Sequence, residues 1–229
     1  MAGTLSDPAV RGVLHRLCEL GAVEDPAAKL RVRERESHRG ARIYGDERVR
    51  LQRGAPLAIS PEAGHLLYAL TVARSPHTVV EFGASLGFST ICIASALRDV
   101  GAGSLVTTEV SRDKALALTT NLAEAGLSDV VEVRVGDARQ TLRGFADPVD
   151  LLFLDGANDL YLDLLRVMEP QLSERGLVVA DMSAGDPHHV GYRQYVSDPR
   201  GGYATVEVPL DAGLVVSIRL PRFEPERRG

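Results

Sequence analysis

At 229 residues and 45% hydrophobic composition, the chain has enough apolar material for one substantial core, so one domain with an N-terminal appendage is expected. A net charge of −5 excludes a broad basic footprint for nucleic acid. The two cysteines, Cys18 and Cys92, stand far apart and in no CxxC pattern, which argues against structural zinc and for a reducing compartment.

No apolar run approaches a membrane span, and the N-terminus lacks a basic-then-apolar leader pattern. A cytoplasmic protein without membrane or nucleic-acid partners is the expectation. Residues 1–58 read as a helical arm for dimerisation or substrate capping, and residues 59–229 as the main domain. In the arm, Val10, Val13, Leu14 and Leu17 give Leu5–Leu20 an amphipathic helical spacing. Asp25-Pro26 reads as the start of a second helix, since Pro is tolerated in a first turn. Its mixed-charge run, Lys29 to Glu36, reads as a solvated face. Ser60-Pro61-Glu62 opens a further helix, with Ser60 as N-cap and Pro61 at the first helical position.

From Thr78 onward strands alternate with helices. The expected strands are Thr78–Phe82, Ser104–Glu109, Val131–Val135, Asp150–Leu154 and Leu177–Ala180. The expected helices are Leu86–Arg98, Arg112–Ala125 and Tyr161–Leu172. Nearly all-apolar strands separated by helices imply a parallel sheet covered on both faces. Tyr203–Val208 and Leu214–Leu220, joined through Pro209, Asp211 and Gly213, read as a hairpin, so at least one antiparallel strand ends the sheet.

Ligands of such sheets sit beyond the carboxyl ends of the strands. The first strand runs through Glu81 into a turn with Gly83, Ser85 and Gly87, then directly into a helix that carries Ser89. Backbone N–H groups and a helix N-terminus left open there suit the polar end of a nucleotide-like ligand. The dinucleotide G-x-G-x-x-G pattern is absent, and an acid at Glu81 repels a pyrophosphate while suiting the cationic amino group of S-adenosylmethionine. Every later strand also ends in an acid: Glu109, Asp137 (after Gly136), Asp155 and Asp181. Glu109 is placed to accept ribose hydroxyls, Asp137 to accept from the adenine amino group, and Ser89 to donate to the methionine carboxylate.

The stretches Val80-Glu81-Phe82-Gly83-Ala84-Ser85-Leu86-Gly87, Gly136-Asp137-Ala138, Leu154-Asp155-Gly156 and Gly176-Leu177-Val178-Val179-Ala180-Asp181 together resemble the class I S-adenosylmethionine-dependent methyltransferases. More narrowly the chain is similar to the small catechol and caffeoyl-CoA O-methyltransferases over about residues 56–220. The resemblance implies a Rossmann-like, doubly wound seven-stranded α/β sheet with a reversed final strand. It implies S-adenosylmethionine contacts at Glu81, Gly83, Ser85, Gly87, Ser89, Glu109, Asp137 and Asp155, joined by the backbone near Ile59 and Ala138. It also implies a divalent metal, usually Mg²⁺, held by two Asp and an Asn. Asp155 and Asp181 match the Asp positions, but Met182 stands at the Asn position, and Asn158 stands where the family has an active-site Lys. A thioether is a poor ligand for a hard cation, so retention of the metal stays open.

The expected activity is methyl transfer to a small-molecule acceptor, at a hydroxyl or alternatively an amine, by a homodimer. Asp155, Asp181 and His188 are the candidate catalytic groups. His188 and His189 follow the fifth strand through residues 183–187, and His65, Tyr192 and Tyr195 are further candidates for the acceptor side. A cofactor-binding protein without turnover, and a nicotinamide-dependent oxidoreductase, are the competing readings.

Overall fold

The computed structural model describes residues 3–182 and 187–221. Seven strands form one sheet in the order β3-β2-β1-β4-β5-β7-β6. They are β1 (Thr78–Phe82), β2 (Ser104–Glu109), β3 (Val131–Val135), β4 (Val149–Leu154), β5 (Leu172–Asp181), β6 (Tyr203–Val208) and β7 (Leu214–Arg219). The first five are mutually parallel, and β7 runs antiparallel to both β5 and β6. The hairpin is present, but its reversed strand β7 lies inside the sheet and β6 forms the edge.

Strand alternation divides the core in two. Val79, Leu105, Leu151, Phe153, Leu177 and Val179 pack on one face, and Val80, Val106, Leu152, Leu154, Val178 and Ala180 on the other. Both faces are buried because both are covered, as parallel strands require. The first face carries α1 (Pro8–Arg39), α3 (Pro61–Arg74), α4 (Phe88–Val100) and α5 (Arg112–Glu124). The second carries α6 (Ala138–Thr141), α7 (Tyr161–Met168) and α8 (His189–Ser197). A short helix, α2 (Gly45–Leu51), follows α1.

The arm departs from expectation. α1 is one continuous helix of 32 residues with Pro26 inside it, so Asp25-Pro26 starts nothing. An internal Pro costs about 3 kcal/mol of helix stability. Tertiary contacts on either side of Pro26 offset that cost. Val10, Val13 and Leu17 are buried before it, Ala28 and Val32 after it, all along one helical face. Arg16 donates to Asn121 Oδ1 at 2.9 Å, Asp25 Oδ1 accepts from Leu57 N–H at 2.8 Å, and Arg31 Nε donates to the Leu51 carbonyl at 2.8 Å.

Other boundaries move for local reasons. α4 begins at Phe88, not Leu86, because Gly87 takes φ 99° as its N-cap. α7 stops at Met168, two residues before Pro170. β5 begins at Leu172 rather than Leu177, with a register shift against β4 between Val149 and Leu151. The Ser60 cap is as expected: its Oγ accepts from Ala63 N–H at 3.2 Å, with Pro61 in the first turn.

Candidate active site

Alternation also decides where the strand-end acids point. Glu81 follows Val79, Glu109 follows Leu105 and Thr107, and Asp181 follows Leu177 and Val179, each at even spacing from residues of the first face. Glu81, Glu109 and Asp181 therefore emerge on the same side of the sheet, beneath α3, α4 and α5. Asp155 lies one residue past β4, where its N–H donates to the Phe82 carbonyl at 2.8 Å. Met182 has the opposite parity, is 1% exposed, and packs in the second core with Tyr161 and Tyr192.

Glu81 is fully buried. Its carboxylate accepts hydroxyl hydrogen bonds from Ser89, Thr90 and Thr107, each at 2.6 Å. Burial pushes its pKa up despite these donors, with the nearby Glu109 adding to the rise. It is thus a supporting acid behind the glycine turn rather than a solvent-facing one. Roughly one lone-pair site of four is left for a ligand's ammonium.

The turn itself is tight. Gly83 has φ 95°, and a Cβ there would lie 2.6 Å from the Asp155 carbonyl oxygen, so only glycine lets the β1 and β4 loops meet. Ser85 adopts φ 47°, and its N–H donates to Glu109 Oε2 at 2.9 Å. The other Glu109 oxygen accepts from Ser111 N–H at 2.8 Å. Burial raises the Glu109 pKa against these bonds and against the nearby Lys114.

Asp155 and Asp181 crowd each other. Burial pushes Asp155 well above the ordinary carboxylate range, and Asp181, Glu81 and Asp211 push it further. Asp181 is raised to about 7 by burial and by Asp211, with Lys29 of α1 opposing. Asp181 Oδ1 is buried and meets no hydrogen-bond donor among the described residues. Its backbone is fixed from below, where Tyr161 Oη donates to the Asp181 carbonyl at 2.8 Å.

Other candidates lie elsewhere or are already occupied. Asp137 caps α6, accepting from Arg139 N–H at 2.9 Å and from the Arg139 guanidinium at 2.6 Å. That pairing, chiefly the guanidinium contact, holds its pKa below the usual range, so an adenine amino group would share Asp137 with Arg139. Ala138 is buried in the second core, and Ile59 is 6% exposed, directly before the α3 cap. His188 pairs with Tyr44 of the arm by a hydrogen bond and an edge-on ring contact at 5.1 Å. His189 is buried and stacks on Tyr161 at 5.7 Å. The loop residues 183–186 lie outside the described residues. His65 lines a recess of about 360 Å³ with Cys18, Phe88 and Cys92, between α1, α3 and α4. Tyr192 is wholly buried and Tyr195 donates to Glu169 at 2.7 Å, so both pack the α8 face.

Sequence reading missed Lys114 and Asp211. Lys114 is 7% exposed, and its Nζ donates to Ser85 Oγ at 3.0 Å. Its signal is a lysine in the first turn of the helix that follows Glu109. Asp211 was seen only as a turn residue, yet it accepts from Ser60 N–H at 2.9 Å and raises the pKa of both Asp155 and Asp181.

The donor set fits the family's metal poorly. Among the described residues no three His, Cys, Asp or Glu side chains form a cation site, and the Met182 thioether is packed away from Asp181.

Residues 80–181 match the family described as a methyltransferase domain. The chain is 36% identical over 125 residues to a catechol O-methyltransferase of Mycobacterium tuberculosis, covering 54% of this chain and 55% of that one. It is 32% identical over 130 residues to a catechol O-methyltransferase of Niastella koreensis, covering 55% and 58%. These alignments span about half the length of the curated relatives. The cofactor-bound crystal structure of Rv0187 from MTB superposes with TM-score 0.62 at 25% identity, covering 71% of this chain and 81% of that one. With this sheet order and glycine turn, residues 80–181 are similar to a methyltransferase domain, and the chain resembles S-adenosylmethionine-dependent O-methyltransferases over that stretch.

Proposed function

We propose that the chain binds S-adenosylmethionine at the β1–α4 turn and transfers its methyl group to a hydroxyl of a small-molecule acceptor. The observation that carries this reading is the shared face of Glu81, Glu109 and Asp181 around the Gly83 turn, with Asp181 Oδ1 buried and unpartnered among the described residues. A cluster of carboxylates favours a cationic ligand. The catechol O-methyltransferase relatives favour an oxygen acceptor.

S-adenosylmethionine held at this turn would supply an electrophilic methyl carbon on a sulfonium, with neutral S-adenosylhomocysteine as the leaving group. The protein's work is positioning and proton handling. Asp181, raised to about 7, is matched to take the acceptor's hydroxyl proton near neutral pH. Asp155 orients the acceptor, while burial and the Asp211 carboxylate keep the Asp181 pKa high. Tyr161 holds the Asp181 main chain from beneath. His188, tied to Tyr44, borders the acceptor side from the arm. No step is routed through a metal, because the residues do not form the family's cage.

The arm acts as a cap within the chain. It reaches the α5 start through Arg53–Asp113 at 2.7 Å and α8 through Tyr44–His188. Its outer face exposes Leu20, Val23 and Leu30, which supports pairing with a second copy and is tested by light scattering. Among the described residues no helix is long and apolar enough to cross a membrane.

The test is calorimetric titration with S-adenosylmethionine and S-adenosylhomocysteine, followed by a labelled-methyl assay on catechols, simple phenols and amines. Binding with transfer to a hydroxyl supports the reading. Absence of binding overturns it, and transfer only to amines reassigns the acceptor atom. Met182 and Asn158 favour a second reading, cofactor binding without turnover; any methyl transfer removes it.

A further inference from the structure

Lys114 is a charge in an expensive place. It sits in the first turn of α5 at 7% exposure, where an apolar side chain would pack without a desolvation cost. A buried ammonium persists only where anions and acceptors surround it. Here its Nζ donates to Ser85 Oγ at 3.0 Å. Glu109 of β2 and Asp25 of the arm supply the opposing charge. Asp25 is itself held in place by the Leu57 N–H at 2.8 Å.

The hydrogen-bond directions at this point are informative. Ser85 gives its N–H to Glu109 and takes a proton from Lys114 on its hydroxyl oxygen. The Ser85 hydroxyl hydrogen is then turned away from Lys114 and available to donate to a ligand. Glu109 has each oxygen engaged by one backbone N–H, from Ser85 and Ser111, so further lone pairs on both oxygens remain to accept. The ammonium opposes the rise that burial imposes on the Glu109 pKa. The result is a paired acceptor beside a fixed donor, complementary to vicinal hydroxyls that both donate.

We propose that Lys114 is a positioning residue for the ribose of the bound nucleoside: it orients Ser85 and holds the Glu109 carboxylate in its hydroxyl-accepting arrangement, braced against Asp25 of α1. This rests on the proposed cofactor site, and it assigns that site a cation which acts through two neighbours rather than by touching the reacting atoms.

The test compares S-adenosylhomocysteine with its 2′-deoxy analogue by calorimetry, in wild type and in Lys114→Met. A merely structural role weakens both ligands equally. The inference expects wild type to prefer the ribose form by about tenfold or more, as hydrogen bonds to a charged group do. Lys114→Met should lose about tenfold for S-adenosylhomocysteine, lose less than about threefold for the deoxy analogue, and so collapse the preference. Lys114→Arg should keep most of it. If Lys114→Met does not fold, as judged by circular dichroism, Lys114→Gln is read in the same way. An unchanged preference in a folded Lys114 variant overturns this inference alone. A wild type that binds neither ligand overturns the cofactor reading beneath it.

Discussion

The main-chain N–H of Ser60 donates to Asp211 Oδ2 at 2.9 Å, joining the cap of α3 to the β6–β7 turn. Asp211 occupies a left-handed conformation at φ 53°, which Asp and Asn tolerate better than other side chains. The bond anchors a third carboxylate beside Asp155 and Asp181. Asp211→Asn keeps both the acceptor and the backbone conformation while removing one charge. The Asp181 pKa should then fall, and the acid limb of the pH–rate profile should move down by about one unit. An unmoved limb would dissociate Asp181 from the proton transfer.

Asp181 also links pH to stability. Its folded pKa, about 7, lies above its unfolded value, so the native state holds the extra proton between the two. Its contribution is therefore fully favourable below about pH 4 and is lost as pH rises through 7. Asp181→Asn, studied in chelator-treated protein, should melt like wild type near pH 4. At pH 8 it should be more stable by up to about 4 kcal/mol, less whatever solvent screening removes. Equal melting temperatures at both pH values would contradict the raised pKa.

Glu81 separates structural from ligand effects. Glu81→Ala strands the Ser89, Thr90 and Thr107 hydroxyls and opens a void, costing about 2–4 kcal/mol in chemical denaturation. Glu81→Gln retains the shape, and rotatable hydroxyls re-pair with its amide, so its cost should stay within about 1 kcal/mol. Loss of the charge should nonetheless weaken S-adenosylmethionine by about tenfold or more. Cofactor affinity unchanged in Glu81→Gln would remove Glu81 from ligand recognition.

Metal dependence has a constructive test. Wild-type activity should survive exhaustive chelation, because the Met182 side chain is packed on the far side of the sheet from Asp181. Met182→Asn combined with Asn158→Lys supplies the amide and the base that the family places there. The double variant should gain a Mg²⁺-dependent rise in melting temperature and rate. Failure to gain either would count against the matching of these positions.

Asp150 provides a control at the opposite end of the sheet. Burial raises its pKa, but Ser173, the His77 and Thr78 N–H groups and Arg74 outweigh that and hold it below the usual range. Its stabilisation is present above the unfolded pKa near 4 and is lost as pH falls below it. Asp150→Ala should cost about 1–3 kcal/mol at pH 7 and leave the KM for cofactor unchanged. A change in that KM would show that the two ends of the sheet communicate.

Local pattern carried much of the architecture. The runs Thr78–Phe82, Ser104–Glu109 and Val131–Val135 are strands with the expected bounds, because β-branched residues in a short run, continuous or alternating, bounded by turn or cap residues leave little choice. The Ser60-Pro61 start was equally legible, since capping is settled within four residues. Asp25-Pro26 misled because a local rule for proline was overridden by tertiary packing on both sides of it.

The sequence by itself determined the alternating strands and helices, the glycine turn and the acid at each parallel strand's end, all set by interactions between near neighbours in the chain. Only the tertiary structure decided that Glu81 is buried beneath three hydroxyls, that Asp137 is occupied by Arg139, and that Asp25, Lys114 and Asp211 converge on the site. Burial, charge pairing and strand parity depend on which distant segments meet. Asp25 and Lys114, 89 positions apart, and Ser60 and Asp211, 151 positions apart, are brought together by folding alone.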